Sequence, residues 1–138
     1  MLTLYHGTTS EYLKKRISSS TTLRFYRDWV GLDPDYSSLR ALNRASTFKS
    51  NPILIAINNR LLDNEGRVEH LENHSYLSGT FDISKIIFLN PFGKEGFRGL
   101  KEIAKSIPNA IIVPQDLHNL RGVYGITEAY RIIPLSQL

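Results

Sequence analysis

The chain has 138 residues, 41% of them hydrophobic and 22% charged, which is the composition of one ordinary globular domain and too short for two. It contains no cysteine, which excludes disulfides, cysteine-ligated zinc or iron–sulfur sites and a thiol nucleophile. Seventeen Lys and Arg against thirteen Asp and Glu give a net charge of +4, favouring anionic partners such as nucleotides, nucleic acids or acidic proteins without choosing among them.

The first residues carry no basic region followed by a long apolar run, so they do not read as a signal peptide. No apolar stretch approaches the roughly 20 residues of a membrane span, and cytoplasm is the expected compartment. Leu2 to His6 alternate with period two and predict a strand that Gly7 breaks. A helix is expected next, with Thr8 and Glu11 in capping-box spacing and Leu13 and Ile17 on one face. It ends at the serine run Ser18-Ser19-Ser20-Thr21-Thr22, read as a short loop. Leu23 to Val30, dense in aromatic and basic residues, fits either a strand or a structured loop.

Asp33-Pro34 supplies an N-cap acid and a proline at the first helical position, and Tyr36, Leu39, Leu42 and Ala45 continue the helix until Asn51-Pro52. Ile53 to Ile57 form a β-branched run suited to a buried strand. Arg60 to Gly79 are polar and weakly patterned. His70 and His74 there have helical i, i+4 spacing, but no third ligand follows in a recognisable frame, so no metal site is expected. Ile86 to Leu89 predict a strand, Leu100, Ile103, Ala104 and Ile107 a short helix, and Ala110 to Val113 another strand. The last segment alternates, with Ile126, Glu128, Tyr130 and Ile132 on one face. The expected class is α+β, one domain over residues 1–138, with two N-terminal helices and one short later helix.

Two positions stand out chemically. His6, at a strand end and followed by glycine, can offer an imidazole to a ligand hydroxyl while Gly7 exposes its backbone to a planar amide; both are equally at home in a plain turn. Glu128 is an acid in the middle of an apolar strand face. It belongs either on an exposed edge or in a cleft that uses its charge.

Tyr5-His6-Gly7-Thr8, a helix, an aromatic segment, Gly31-Leu32-Asp33-Pro34-Asp35-Tyr36 and a late strand glutamate together resemble the ADP-ribosyltransferase fold in its diphtheria-toxin-like, His-Tyr-Glu branch. Poly-ADP-ribose polymerases and small rifamycin-modifying transferases belong to that branch. The resemblance implies a split β-sheet core and an NAD cleft that opens on the Tyr-His-Gly-Thr strand, with Tyr5, His6, Gly7 and Thr8 at the cofactor. By position His6 would hold the adenine-side ribose, Gly7 would pair with the nicotinamide carboxamide through its backbone, and Glu128 would be the catalytic acid.

Trp29 stands where the family places the aromatic that stacks on nicotinamide, with Tyr26 and Tyr36 as alternatives. The implied activity is mono-ADP-ribosyl transfer from NAD, as substrate and without a metal, to a protein or nucleic-acid acceptor. A toxin or effector of this kind is expected to have a neutralising antitoxin or immunity protein as a partner. Ile126 occupies the position that carries a second acid in arginine-modifying members of the other branch, which argues against arginine as acceptor. Two alternatives share the resemblance: an RNA-acting relative (2′-phosphotransferase or nucleic-acid ADP-ribosyltransferase), and a module that binds NAD or ADP-ribose without turnover.

Overall fold

The computed structural model describes residues 3–58, 66–71, 74–114 and 131–138. In chain order the elements are β1 (Thr3–Thr9), α1 (Ser10–Lys14), β2 (Ile17–Ser19), β3 (Thr22–Val30), α2 (Pro34–Phe48), β4 (Pro52–Asn58), β5 (Gly66–Leu71), β6 (His74–Asp82), β7 (Ile86–Leu89), α3 (Lys94–Ala104), β8 (Ile111–Ile112) and β9 (Ile133–Pro134). They build two sheets, one ordered β1-β4-β7-β8-β9 and one ordered β2-β3-β6-β5. The α+β class is as expected.

Sheet one is buried on both faces. Ile53, Ile55 and Ile57 of β4 join a core shared with Leu23, Phe25, Leu77 and Phe81 of the second sheet and with Leu100 and Ile103 of α3. Leu54 and Ala56 point the other way, into a smaller cluster with Tyr5, Leu89 and Val113. This explains the unbroken apolar run in β4, since a strand with one wet face would have alternated.

Several local expectations are revised. Gly7 does not end β1, which continues to Thr9, and Thr9 rather than Thr8 caps α1 by accepting from the Tyr12 amide at 3.3 Å. Glu11 pairs with Lys14 at 3.0 Å instead of closing a capping box. Ile17 leaves the helix for β2, and the serine run becomes the hairpin into β3, where Ser18 and Thr22 hydroxyls meet at 2.7 Å. The polar stretch before Gly79 contains the paired strands β5 and β6, so His70 and His74 lie on two antiparallel strands and not on one helical face. The final alternating segment, with Ile126 and Glu128, lies outside the described residues except at its end, where Ile133–Pro134 form β9.

Asp33 caps α2 as expected, its carboxylate accepting from the Asp35 amide at 2.9 Å. The helix buries Ser37, Ala41 and Ala45, spaced by four, and leaves Tyr36, Leu39 and Leu42 exposed. A period of three drifts around a 3.6-residue helix, whereas small residues every four keep one seam. That seam lies on β1. A Cβ added to Gly7 would sit 1.9 Å from the Ser37 carbonyl oxygen and 3.2 Å from the Ala41 amide, so glycine here is what lets helix and strand backbones touch.

Gly7→Ala must therefore displace α2, at a cost of about 1–3 kcal/mol by the usual scale of overpacking. The thermal midpoint of the variant is expected several degrees below wild type; an unchanged midpoint would show that α2 yields freely.

Candidate functional site

The two sheets meet where β1 passes β3. Tyr5 and Gly31 exchange both backbone hydrogen bonds, at 2.7 and 3.0 Å, as an isolated antiparallel bridge. Beyond that point the strands diverge. Backbone groups alternate sides along a strand, so the N–H and C=O of Gly7 leave β1 on the same edge as those of Tyr5, toward the gap and away from β4.

The gap is a cavity of about 310 Å³, at the small end of ligand sites. It is lined by His6, Gly7 and Thr8 of β1, Tyr12 of α1, Arg27, Asp28 and Trp29 of β3, Arg40 and Arg44 of α2, and Tyr76 of β6.

His6 is 4% exposed. Its Nδ1 lies 2.8 Å from the Trp29 carbonyl oxygen, which can only accept, so Nδ1 carries the proton. Phe25 packs edge-on against the ring at 5.6 Å. Nε2 is buried and has no partner among the described residues. Burial pushes the imidazole below its ordinary value of 6.5; Arg44 and Arg40 push the same way, partly opposed by the Trp29 bond and Asp28. The neutral ring then presents Nε2 as an acceptor, complementary to a hydroxyl donor.

The opposite wall depends on a bulge in β3. Burial falls on Leu23 and Phe25, then on Asp28 and Val30, so the alternation slips by one residue. Arg27 occupies the extra place with φ of 50°, its amide donating to Ser78 Oγ at 3.0 Å. Asp28 holds the bulge from inside. Its carboxylate accepts from the Tyr26 amide at 2.9 Å and from the Tyr12 hydroxyl at 2.7 Å, and Arg16 Nε lies 3.0 Å from it. Arg16 also donates to the Tyr12 oxygen. Burial and the bond to Asp28 both raise the Tyr12 pKa, keeping the phenol protonated.

Of the residues singled out in the sequence, His6, Gly7, Thr8 and Trp29 come together around this cavity. Trp29 is packed on more than one side: the Arg40 guanidinium lies 4.4 Å over its ring, and Tyr36 meets it edge-on at 5.5 Å. Tyr36 itself is half exposed and lies outside the cavity lining. The Tyr5 side chain is buried in the smaller core cluster, so its share in the site is its backbone. Tyr26 is exposed and stacks with Arg16 and Arg24. Glu128 lies outside the described residues.

Tyr12, Asp28, Arg40, Arg44 and Tyr76 line the cavity without having stood out in the sequence, while Arg27 stood out only as part of the aromatic and basic segment. Two signals were available: a lone acid amid aromatic strand residues at Asp28, and two arginines at i, i+4 in α2. No family model, curated protein or solved structure matches the chain. Among the described residues no helix is long and apolar enough to cross a membrane.

Because the folded-state pKa of His6 is depressed, the unfolded chain takes up a proton as pH falls through about 6.5 while the folded chain resists. This part of the stability is fully present above 6.5 and is lost below it, at no more than about 1.4 kcal/mol per pH unit. Denaturant midpoints measured from pH 8 to 5 should fall less steeply for His6→Gln than for wild type. Parallel profiles would remove His6 as the cause.

Proposed function

We propose that this cavity binds NAD and that the protein is a mono-ADP-ribosyltransferase. The reading rests on one observation above all: a neutral, buried His6 whose Nε2 acceptor has no partner among the described residues at the point where β1 and β3 separate. Such an acceptor suits a ribose hydroxyl. The edge of Gly7 beside it offers one N–H and one C=O, the complement of a carboxamide. The Tyr-His-Gly-Thr sequence that carried the family resemblance is the segment that supplies both groups.

In the proposed reaction a nucleophile of the acceptor attacks the anomeric carbon of the nicotinamide-bearing ribose. The carbon–nitrogen bond breaks, its electron pair passes to the pyridinium nitrogen to leave neutral nicotinamide, and the proton of the nucleophile goes to solvent. Positive charge builds on the ribose before the new bond is complete. A carboxylate from Glu128, near the 2′-hydroxyl, would stabilise that charge more than it stabilises bound NAD, which is what lowers a barrier. Trp29 is the proposed aromatic neighbour of the nicotinamide ring. A nucleic-acid acceptor is the second reading, favoured by Arg40 and Arg44 on the cavity wall.

Calorimetric titration with NAD should show binding that His6→Ala weakens about fivefold or more, as for one lost hydrogen bond. Nicotinamide release should fall by about two to three orders of magnitude in Glu128→Gln with NAD affinity kept. Binding without any nicotinamide release in wild type identifies a binding module instead. No binding at all discards the reading.

A further inference from the structure

Arg40 and Arg44 bring two positive charges to one cavity. Arg40 and Arg44 are one helical turn apart on α2, a spacing at which like charges repel and weaken a helix. Both reach the same cavity. Asp28, the one carboxylate among the described lining residues, is already engaged by Arg16, Tyr12 and the Tyr26 amide. Neither Arg40 nor Arg44 has a carboxylate partner among the described residues. Arg40 Nε is buried without a hydrogen-bond partner among the described residues, although the guanidinium face rests on Trp29. A third arginine, Arg27, lines the same cavity from the strained bulge of β3, its guanidinium over the Tyr76 ring.

We infer that Arg40 and Arg44 form a phosphate subsite within the cavity that Arg27 also lines. Guanidinium groups offer planar pairs of donors that match phosphate oxygens, and a low-dielectric wall strengthens each bond. The neighbouring acceptor of His6 adds a hydroxyl-binding point, so the ligand class is a phosphorylated sugar or nucleotide. Two sources share this chemistry: the diphosphate of a dinucleotide, and a phosphate on the second substrate. The subsite does not depend on the transferase reading, since it concerns only what the arginines bind.

The test is a titration of the whole protein with inorganic phosphate, followed by amide NMR against sodium chloride at matched ionic strength. Wild type should show saturable shifts around α2 and β3. Arg40→Gln and Arg44→Gln should each weaken phosphate binding about tenfold or more, the scale for a hydrogen bond to a charged group. Arg44→Lys should retain part of it. Lys105→Gln, which removes an exposed charge beyond α3, should leave affinity unchanged. The same spectra report whether each variant is folded.

Shifts no larger than those from chloride overturn the subsite. So does equal weakening by Lys105→Gln, which would mean attraction by net charge alone. A repeat at saturating NAD separates the sources: competition assigns the subsite to the dinucleotide, and undiminished affinity assigns it to the second substrate. If phosphate binds and NAD does not, the subsite stands and the transferase reading falls.

Discussion

Among the described residues a single backbone pair, Tyr5 with Gly31, joins the two sheets, and the cavity depends on where that pairing stops. If β1 and β3 continued as neighbours, Gly7 would spend its edge on a ladder and His6 would have no gap to face. The strands instead part after one bridge, and His6 Nδ1 spans the widening space to the Trp29 carbonyl. That bond fixes the ring, its tautomer and the direction of its free nitrogen together. Nε2 has no partner among the described residues, and a buried acceptor left so costs on the order of 1–3 kcal/mol, which a hydroxyl donor in the cavity would recover.

The other wall carries a second constraint of the same kind. Asp28 is buried as a carboxylate, which is tolerable only because a guanidinium, a phenol and an amide surround it. Its partners come from three places in the chain: Arg16 after α1, Tyr12 within α1, and Tyr26 in the bulge. Removing any one partner would leave the buried carboxylate short of a contact beside the bulge that carries Arg27. The ionic cluster therefore ties the short helix α1 to β3, a connection that five helical residues with a single side-chain cap would not secure alone.

Much of the frame was legible in the residues. Apolar runs announced β4, β7 and β8, and Asp33-Pro34 marked the start of α2, because burial on both faces and capping are encoded locally. What failed did so where long-range pairing decided the outcome. β5 and β6 carry no clear alternation, and only their mutual register and the pairing of β6 with β3 make them strands. Tyr36, Leu39 and Leu42 marked the helix by their recurrence but stay exposed, and the small residues Ser37 and Ala41 pack, because the partner surface is a glycine backbone. At the site, His6, Gly7, Thr8 and Trp29 were visible as a local motif and an isolated indole. Tyr12, Asp28, Arg40 and Arg44 were not, since nothing in sequence brings α1, β3 and α2 to one cavity.

The contact at Gly7 also bears on how such a chain can change over generations. Any side chain at this position moves α2, and α2 carries Arg40 and Arg44 toward His6, so a packing constraint and a binding constraint fall on one residue. Drift along the outer face of the helix leaves that geometry alone, while drift at position 7 alters it even when the new residue never touches a ligand. A glycine retained here across relatives would accordingly record the docking of a helix, and the residues that distinguish one ligand from another must be sought one turn apart on the helix it admits.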